Sequence, residues 1–267
     1  MNFKDLKAIA DATPIAETTA ELPRLYWRNG AMALNTPGVF YIKAEELNEA
    51  PDVADWQSIE KYRDEQGYSA EHAFIACVGY RQQPFMVDRT DPKNKVTTWL
   101  PRYEKGAQFY TEMLCAVRGL DEMVVLIVKG LGGRAMVGKG GVLYQHQKTA
   151  QDIGRAVGAR FNPWAFWMEV GGALDKKGRP DYTATGHSSF VTLPTLYESH
   201  RELGIEAMAA SQFVGEGLYA DLTSAQQTYK ANRWFAQRRG NVVADEQPDA
   251  SYHPTDATDP ESDNTLF

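Results

Sequence analysis

Cysteine is nearly absent from this 267-residue chain, with Cys77 and Cys115 the only two. Each sits among apolar neighbours without CxxC or Cys/His spacing, which argues against a disulfide scaffold, a zinc site and a CxxC redox motif, and predicts buried, reduced thiols. No stretch approaches the ~20 consecutive apolar residues of a membrane-spanning helix, and Met1 to Lys7 holds no apolar run of the kind a leader needs. The expectation is a soluble, cytoplasmic protein with no membrane partner. His72, His146, His187, His200 and His253 fall into no HExxH or HxH pattern, and neither a G-x-S-x-G elbow nor a D-x-D pair occurs. No catalytic residue, metal or cofactor is therefore expected, and the chain reads as a non-enzyme. Internal repeats are also absent.

Lys and Arg are missing from the last stretch, Val242 to Phe267, which carries seven acids: Asp245, Glu246, Asp249, Asp256, Asp259, Glu261 and Asp263. The net charge of the whole chain is also -7, so residues 1 to 241 are balanced. With Pro248, Pro254 and Pro260 and almost no aliphatic side chains, this tail cannot bury enough apolar surface to offset ordering entropy, and disorder is expected over 242–267. It ends in Thr265-Leu266-Phe267. Such an arm can compete with an anionic ligand for a basic site, or present a carboxylate and a ring to a partner.

Charge is also uneven within the body. Residues 1 to 76 hold 7 basic against 13 acidic side chains, whereas residues 77 to 160 hold 13 basic against 7 acidic. The middle is the basic part.

Periodicity and breakers predict a mixed β body with peripheral helices: an OB-like antiparallel β barrel or curled sheet over roughly residues 24–194, then a helical part over 195–241. A short helix is expected over Asn2 to Ala12. Leu25 to Leu34 reads as two strands around an Asn29-Gly30 turn, and Lys43 to Gln66 as an acidic helical insertion. His72 to Tyr80, Pro84 to Asp88 and Thr97 to Tyr103 read as strands, with a turn over Asp91 to Lys95. Lys105 to Arg118 is predicted as a helix stopped by Gly119, with Phe109, Met113, Leu114 and Val117 on one face. Met123 to Lys129, Trp164 to Val170 and Ser188 to Leu193 read as strands. Thr195 to Arg239 reads as two helices broken near Gly215 and Gly217, the second capped by Thr223.

Val124 to Ala135 is a hydrophobic strand running into G-x-G-x-x-A, and Gly133 to Gly140 has near P-loop spacing. The further glycines Gly138, Gly140 and Gly141 argue against a helix here, and Gly140 stands where a magnesium-binding hydroxyl belongs. A glycine-rich loop that lets backbone approach a nucleic-acid phosphate is the favoured reading, with a plain β-loop beside it. An enzyme using Gly130 to Gly141 on a nucleotide or phosphorylated ligand is the alternative.

The body does repeat aromatic residues interleaved with basic ones: Arg24 to Arg28, Tyr80-Arg81, Trp99 to Tyr103, and Arg160 to Trp167. Rings that stack on bases and cations that track phosphates hold single-stranded nucleic acid without reading its sequence. The candidate residues are Tyr26, Trp27, Arg28, Arg81, Trp99, Arg102, Tyr103, Lys129, Arg134, Lys139, Arg160, Trp164, Lys176 and Lys177. Trp27, Trp99 and Trp164 are expected to stack on bases, and Phe166 and Phe190 to form core.

Basic-aromatic body and Asp259-Pro260-Glu261-Ser262-Asp263-Asn264-Thr265-Leu266-Phe267 together resemble the single-stranded DNA-binding proteins of bacteria and their phages. In that class an OB-fold core is followed by a disordered acidic C-terminus ending in an aromatic residue. The familiar ending has consecutive aspartates and a proline before Phe; this one departs from it, as a divergent phage-type member would. The resemblance implies single-stranded DNA as ligand, a role in replication or recombination, and replication or recombination partners docked through Asp259, Glu261, Asp263, Leu266 and Phe267. A homo-oligomer is compatible with it, as is a location in the host cytoplasm if the chain is phage-encoded. A ring-forming strand-annealing protein and a phage structural protein with a merely solubilising tail are the other readings.

Overall fold

The computed structural model describes residues 22–32, 35–51, 56–62, 65–88, 96–182, 191–197 and 204–236. The predicted helix at Asn2 to Ala12, the turn over Asp91 to Lys95, the first half of the strand predicted at Ser188 to Leu193 with Phe190, and the whole tail with its five partner-binding residues lie outside the described residues; the other half, Val191 to Leu193, is not strand, which begins only at Pro194.

Among the described residues ten strands form one mixed sheet curled into a half-barrel, with helical additions, as expected. They are β1 (Arg24–Arg28), β2 (Val39–Lys43), β3 (Gln57–Tyr62), β4 (Glu65–Ala70), β5 (His72–Asp88), β6 (Val96–Trp99), β7 (Gln108–Val117), β8 (Val124–Lys129), β9 (Met168–Gly172) and β10 (Pro194–Leu196). The order is β10-β9-β5-β7-β8-β1-β2-β4-β3, and β6 pairs with the far end of β5. All described pairings are antiparallel except β1 with β8. Among the described residues four α-helices accompany the sheet: α1 (Gly130–Val137), α2 (Val142–Val157), α3 (Ile205–Gln212) and α4 (Glu216–Ala231).

The centre of the sheet explains the largest departure from expectation. Lys105 to Arg118 contains strand β7, not a helix. Between β5 and β8 this strand is covered on both faces: Thr111, Met113, Cys115 and Val117 point one way, Tyr110, Glu112, Leu114 and Ala116 the other. All eight are buried. A strand apolar on both faces loses its two-residue alternation, so its spacing can imitate a helix. Strand β8, Val124 to Val128 buried throughout, shows the same property and is recognisable by its unbroken aliphatic run.

The glycine-rich segment is the second correction. Helix α1 begins directly after β8, at Gly130. A Cβ on Gly132 would stand 2.9 Å from Val128, and one on Gly133 2.5 Å from the Thr111 hydroxyl. These glycines let the helix lie close against the sheet, and that packing offsets a helix penalty of roughly 1 kcal/mol per glycine. Gly138 ends α1, Gly140 takes φ 75°, and Gly141 caps α2. Helix α2 stops at Gly158, in the left-handed region at φ 68°.

Elsewhere, the segment 43–66 contributes strand β3 and the start of β4, with only a 3-10 turn at Ala44–Glu46 where a helical insertion was expected. Asn29-Gly30 is no two-residue hairpin turn, since β1 re-enters the sheet as β2 only at Val39 and the buried Gly30 N–H donates to Thr192 Oγ1 at 2.7 Å. The two strands predicted from 72 to 88 are one bent strand, β5, bulged between Cys77 and Gly79. The C-terminal pair of helices breaks at Gly215, as predicted. Thr223, however, lies inside α4 and does not cap it; its hydroxyl donates to Tyr219 O and accepts from Trp164 Nε1.

Two faces result. On one, α1 and α2 cover Leu25, Trp27, Ile42, Ile75, Cys77, Met113, Cys115, Leu126 and Val128, with Met136 and Val142. On the other, Leu222 of α4 packs against Ala76, Val78, Leu114 and Ala116, joined at the margin by Trp164, Trp167, Trp234 and Phe235.

Candidate nucleic-acid interface

Helix α1 does not cover its whole face of the sheet. Beyond the bulge at Val78 and Gly79, β5 carries Tyr80, Gln82, Pro84 and Met86 on that face, β6 adds Val96 and Thr98, and β7 adds Phe109. Where α1 and α2 lie overhead, the same rows of β5 and β7 are sealed at Ile75, Cys77, Met113 and Cys115. Past the helix, Tyr80 is 42% exposed, and Met86 and Val96 are exposed as well. Gln82 Nε2 donates to Thr111 Oγ1 at 2.9 Å, which ties this open strip to the covered part.

At the end of the strip stands a pair of rings. The turn from Glu104 to Ala107, closed by Ala107 N–H on Glu104 O at 3.0 Å with Gly106 at φ 91°, folds Tyr103 back over Phe109. Their centroids are 5.4 Å apart and their planes only 13° from parallel. Tyr103 remains 58% exposed, so its outer face is open to a further ring. Arg102 and Lys105, both exposed, flank it, and Arg134 shares the outward side of α1 with Leu131.

The opposite face gathers more of the predicted residues but uses them differently. Arg28 lies over the Tyr41 ring at 3.3 Å, Arg81 over Trp234 at 4.2 Å, and Lys129 over Tyr110 at 5.6 Å. Arg81 also pairs with the buried Glu112 at 2.6 Å. Trp99 meets Tyr110 edge-on at 5.3 Å, in a cluster with Phe85 and Tyr26. Burial, with the Glu46 carboxylate second, raises the Tyr26 hydroxyl above its ordinary pKa. The Arg28 and Lys129 pairs lie within the sheet, and the Arg81 pair ties it to Trp234, just past α4.

Two of the three expected base-stacking tryptophans are thereby reassigned. Trp27 is buried, edge-on to Phe40 at 4.9 Å, because odd positions of β1 point under α1. Trp164 is half-buried beneath α4, its indole N–H donating to Thr223 at 3.1 Å. Trp99 is partly buried in the cluster just described. Phe166 is core, as expected.

The remaining cations lie apart from that cluster. Lys139 is exposed in the turn between α1 and α2, and Arg160 is exposed just past α2. Lys176 and Lys177 project from a turn that Asp175 closes by accepting from the backbone N–H of Lys177 (2.8 Å) and Arg179 (3.0 Å) and from the Arg179 guanidinium. Those donors, the Arg179 N–H foremost, hold the Asp175 carboxyl below its ordinary pKa.

No family model, curated protein or solved structure matches the chain. What the site can do therefore rests on its own chemistry. Among the described residues no group of His, Cys, Asp or Glu is placed to hold a metal ion, and no helix is long and apolar enough to cross a membrane. His146 is buried, its Nε2 2.9 Å from Pro163 O. Tyr80, Gln82, Met86 and Phe109 were not among the sequence candidates. Tyr80 carried a signal: beside Arg81 in a strand, it must point to the opposite face.

Proposed function

We propose that this protein binds single-stranded DNA without regard to sequence, holding bases on the Tyr103–Phe109 stack and along the Tyr80 strip while Arg102, Lys105 and Arg134 neutralise phosphates. The observation that carries this reading is the parallel ring pair with one face open. A base laid on Tyr103 would extend the stack at about 1–3 kcal/mol, with no hydrogen bond to choose among bases. Only unpaired bases expose such a face, so a single strand fits where a duplex does not. The surrounding segment, 77–160, carries the basic surplus of the body.

The acidic tail fits the same reading. Tethered to a body whose middle segment, 77–160, has a basic surplus, it competes with the strand, and its displacement would expose Leu266 and Phe267 to replication or recombination partners. A strand-annealing protein would share the ring-and-cation strip and differ in forming large rings, which light scattering with and without DNA distinguishes.

The test is anisotropy of a labelled oligo-dT titrated with the full chain at two salt concentrations, beside a duplex of equal length. Tight binding of the single strand that weakens with salt is expected; equal or better binding of the duplex would overturn the reading. Tryptophan quenching is the poorer probe, because Trp27 and Trp164 lie inside the fold.

A further inference from the structure

Cys77 of β5 and Cys115 of β7 are opposite partners in the antiparallel ladder. The type of that pair follows from its neighbours. Arg118 N–H donates to Phe74 O at 2.9 Å, so Phe74 and Arg118, the next position beyond Ile75 and Val117, form a hydrogen-bonded pair. Alternation along the ladder makes Ala76 with Ala116 hydrogen-bonded, and Cys77 with Cys115 a non-hydrogen-bonded pair. In such pairs the Cα atoms approach to about 4.5 Å and the side chains stand closest, within the Cα range of disulfides, roughly 4.4–6.8 Å. Both thiols point under α1 and α2 and both are unbridged, the Cys77 thiol donating to Gly79 O at 3.3 Å.

The geometry points to a cross-strand dithiol that closes to a Cys77–Cys115 disulfide when the protein meets a peroxide, making this pair a reversible oxidative modification site. Cys77 is 8% exposed and Cys115 fully buried, so Cys77 meets the oxidant first. Its sulfur takes one oxygen of hydrogen peroxide, giving a sulfenic acid and one water. Burial, then the adjoining Cys77 thiol, pushes the Cys115 thiol well above its ordinary pKa, so its attack on the Cys77 sulfur rests on their adjacency across the ladder, not on a ready thiolate. Cys115 attacks the Cys77 sulfur. The S–S bond forms, the S–O bond breaks, and the departing hydroxide leaves with the Cys115 proton as the second water. Two thiols have lost two electrons, and one peroxide has become two waters. The bond would fasten β5 to β7 at the step before the bulge, where β5 turns toward the open strip. It would also close the chain between residues 77 and 115, which restricts the unfolded state. This inference does not depend on what the protein binds.

The experiment treats the folded full chain with hydrogen peroxide, blocks remaining thiols with N-ethylmaleimide, and determines intact mass and cysteine-peptide linkage without reduction. The expected product is a monomer that has lost two hydrogens, takes up no maleimide, joins the Cys77 and Cys115 peptides, and unfolds at higher denaturant until dithiothreitol reverses all three changes. Sulfinic or sulfonic acid at Cys77 with a blockable Cys115, a disulfide-linked dimer, or two thiols unchanged unless the chain is first unfolded would each overturn it. Cys115→Ala should divert the product to oxidised Cys77; should that variant not fold, the wild-type mass still decides.

Discussion

Tyr103 lies nearly parallel to Phe109, centroids 5.4 Å apart, with its outer face turned to solvent. One side chain thus serves both the fold and the ligand. Phe109 holds the ring flat, the turn at Gly106 places it, and its free face is what a base would meet.

Replacing Tyr103 with Ala should therefore weaken oligo-dT binding by about 1–3 kcal/mol, roughly 5- to 150-fold, with an unchanged far-ultraviolet spectrum. Tyr103→Trp should retain binding. Equal affinity of Tyr103→Ala and the parent protein would remove the stack from the interface.

Arg102 and Arg81, both nominated by sequence, should behave in opposite ways. Arg102→Ala is expected to lower affinity and to reduce the salt slope by about 1, with stability unchanged. Arg81 is bound to Glu112 and Trp234. Its replacement by Ala removes the ion pair to the buried Glu112 carboxylate and the contact with Trp234, and should destabilise the fold by about 3 kcal/mol in urea denaturation, with little change in the affinity of the folded fraction.

Gly133→Ala tests the packing of α1. By helix propensity alone the change would stabilise by about 1 kcal/mol. The added methyl would instead meet Thr111 Oγ1 at 2.5 Å and Val128 O at 3.0 Å, so a loss of roughly 1–3 kcal/mol is expected. A rise in the denaturation midpoint would contradict the close helix–sheet contact.

Deleting Val242 to Phe267 removes seven negative charges. Single-strand affinity should rise at low salt, and the gain should shrink at high salt as screening shortens the reach of the tail. Equal affinity of the two forms at low salt would rule out competition by the tail.

How much of this was legible beforehand depends on burial. Strand β8 announced itself, since a short, largely β-branched aliphatic run stopped by Lys129 and Gly130 suits a strand hidden on both faces. The α3–α4 break was readable from Gly215, which takes φ 94°. Strand β7 was not, because covering both faces erased the alternation that marks a strand. Helix α1 was hidden for a related reason: its glycines are unfavourable locally and are accommodated only by contact with Val128 and Thr111, the latter far back in the chain from Gly133.

Composition and order of residues were enough to establish an acidic end set against a basic middle, two cysteines with no metal or CxxC spacing, and a β-rich body with helical additions. They also marked Arg102 and Tyr103. Which rings face solvent was decided only in three dimensions. A ring beside a cation reads the same whether it stacks on a base or clamps a sheet, and the difference lies in what α1 and α4 cover. Trp27 and Trp164 went inward because a helix lies over each, whereas α1, which starts beside Gln108 and packs on Thr111, leaves Tyr80 and Tyr103 exposed and Phe109 partly so.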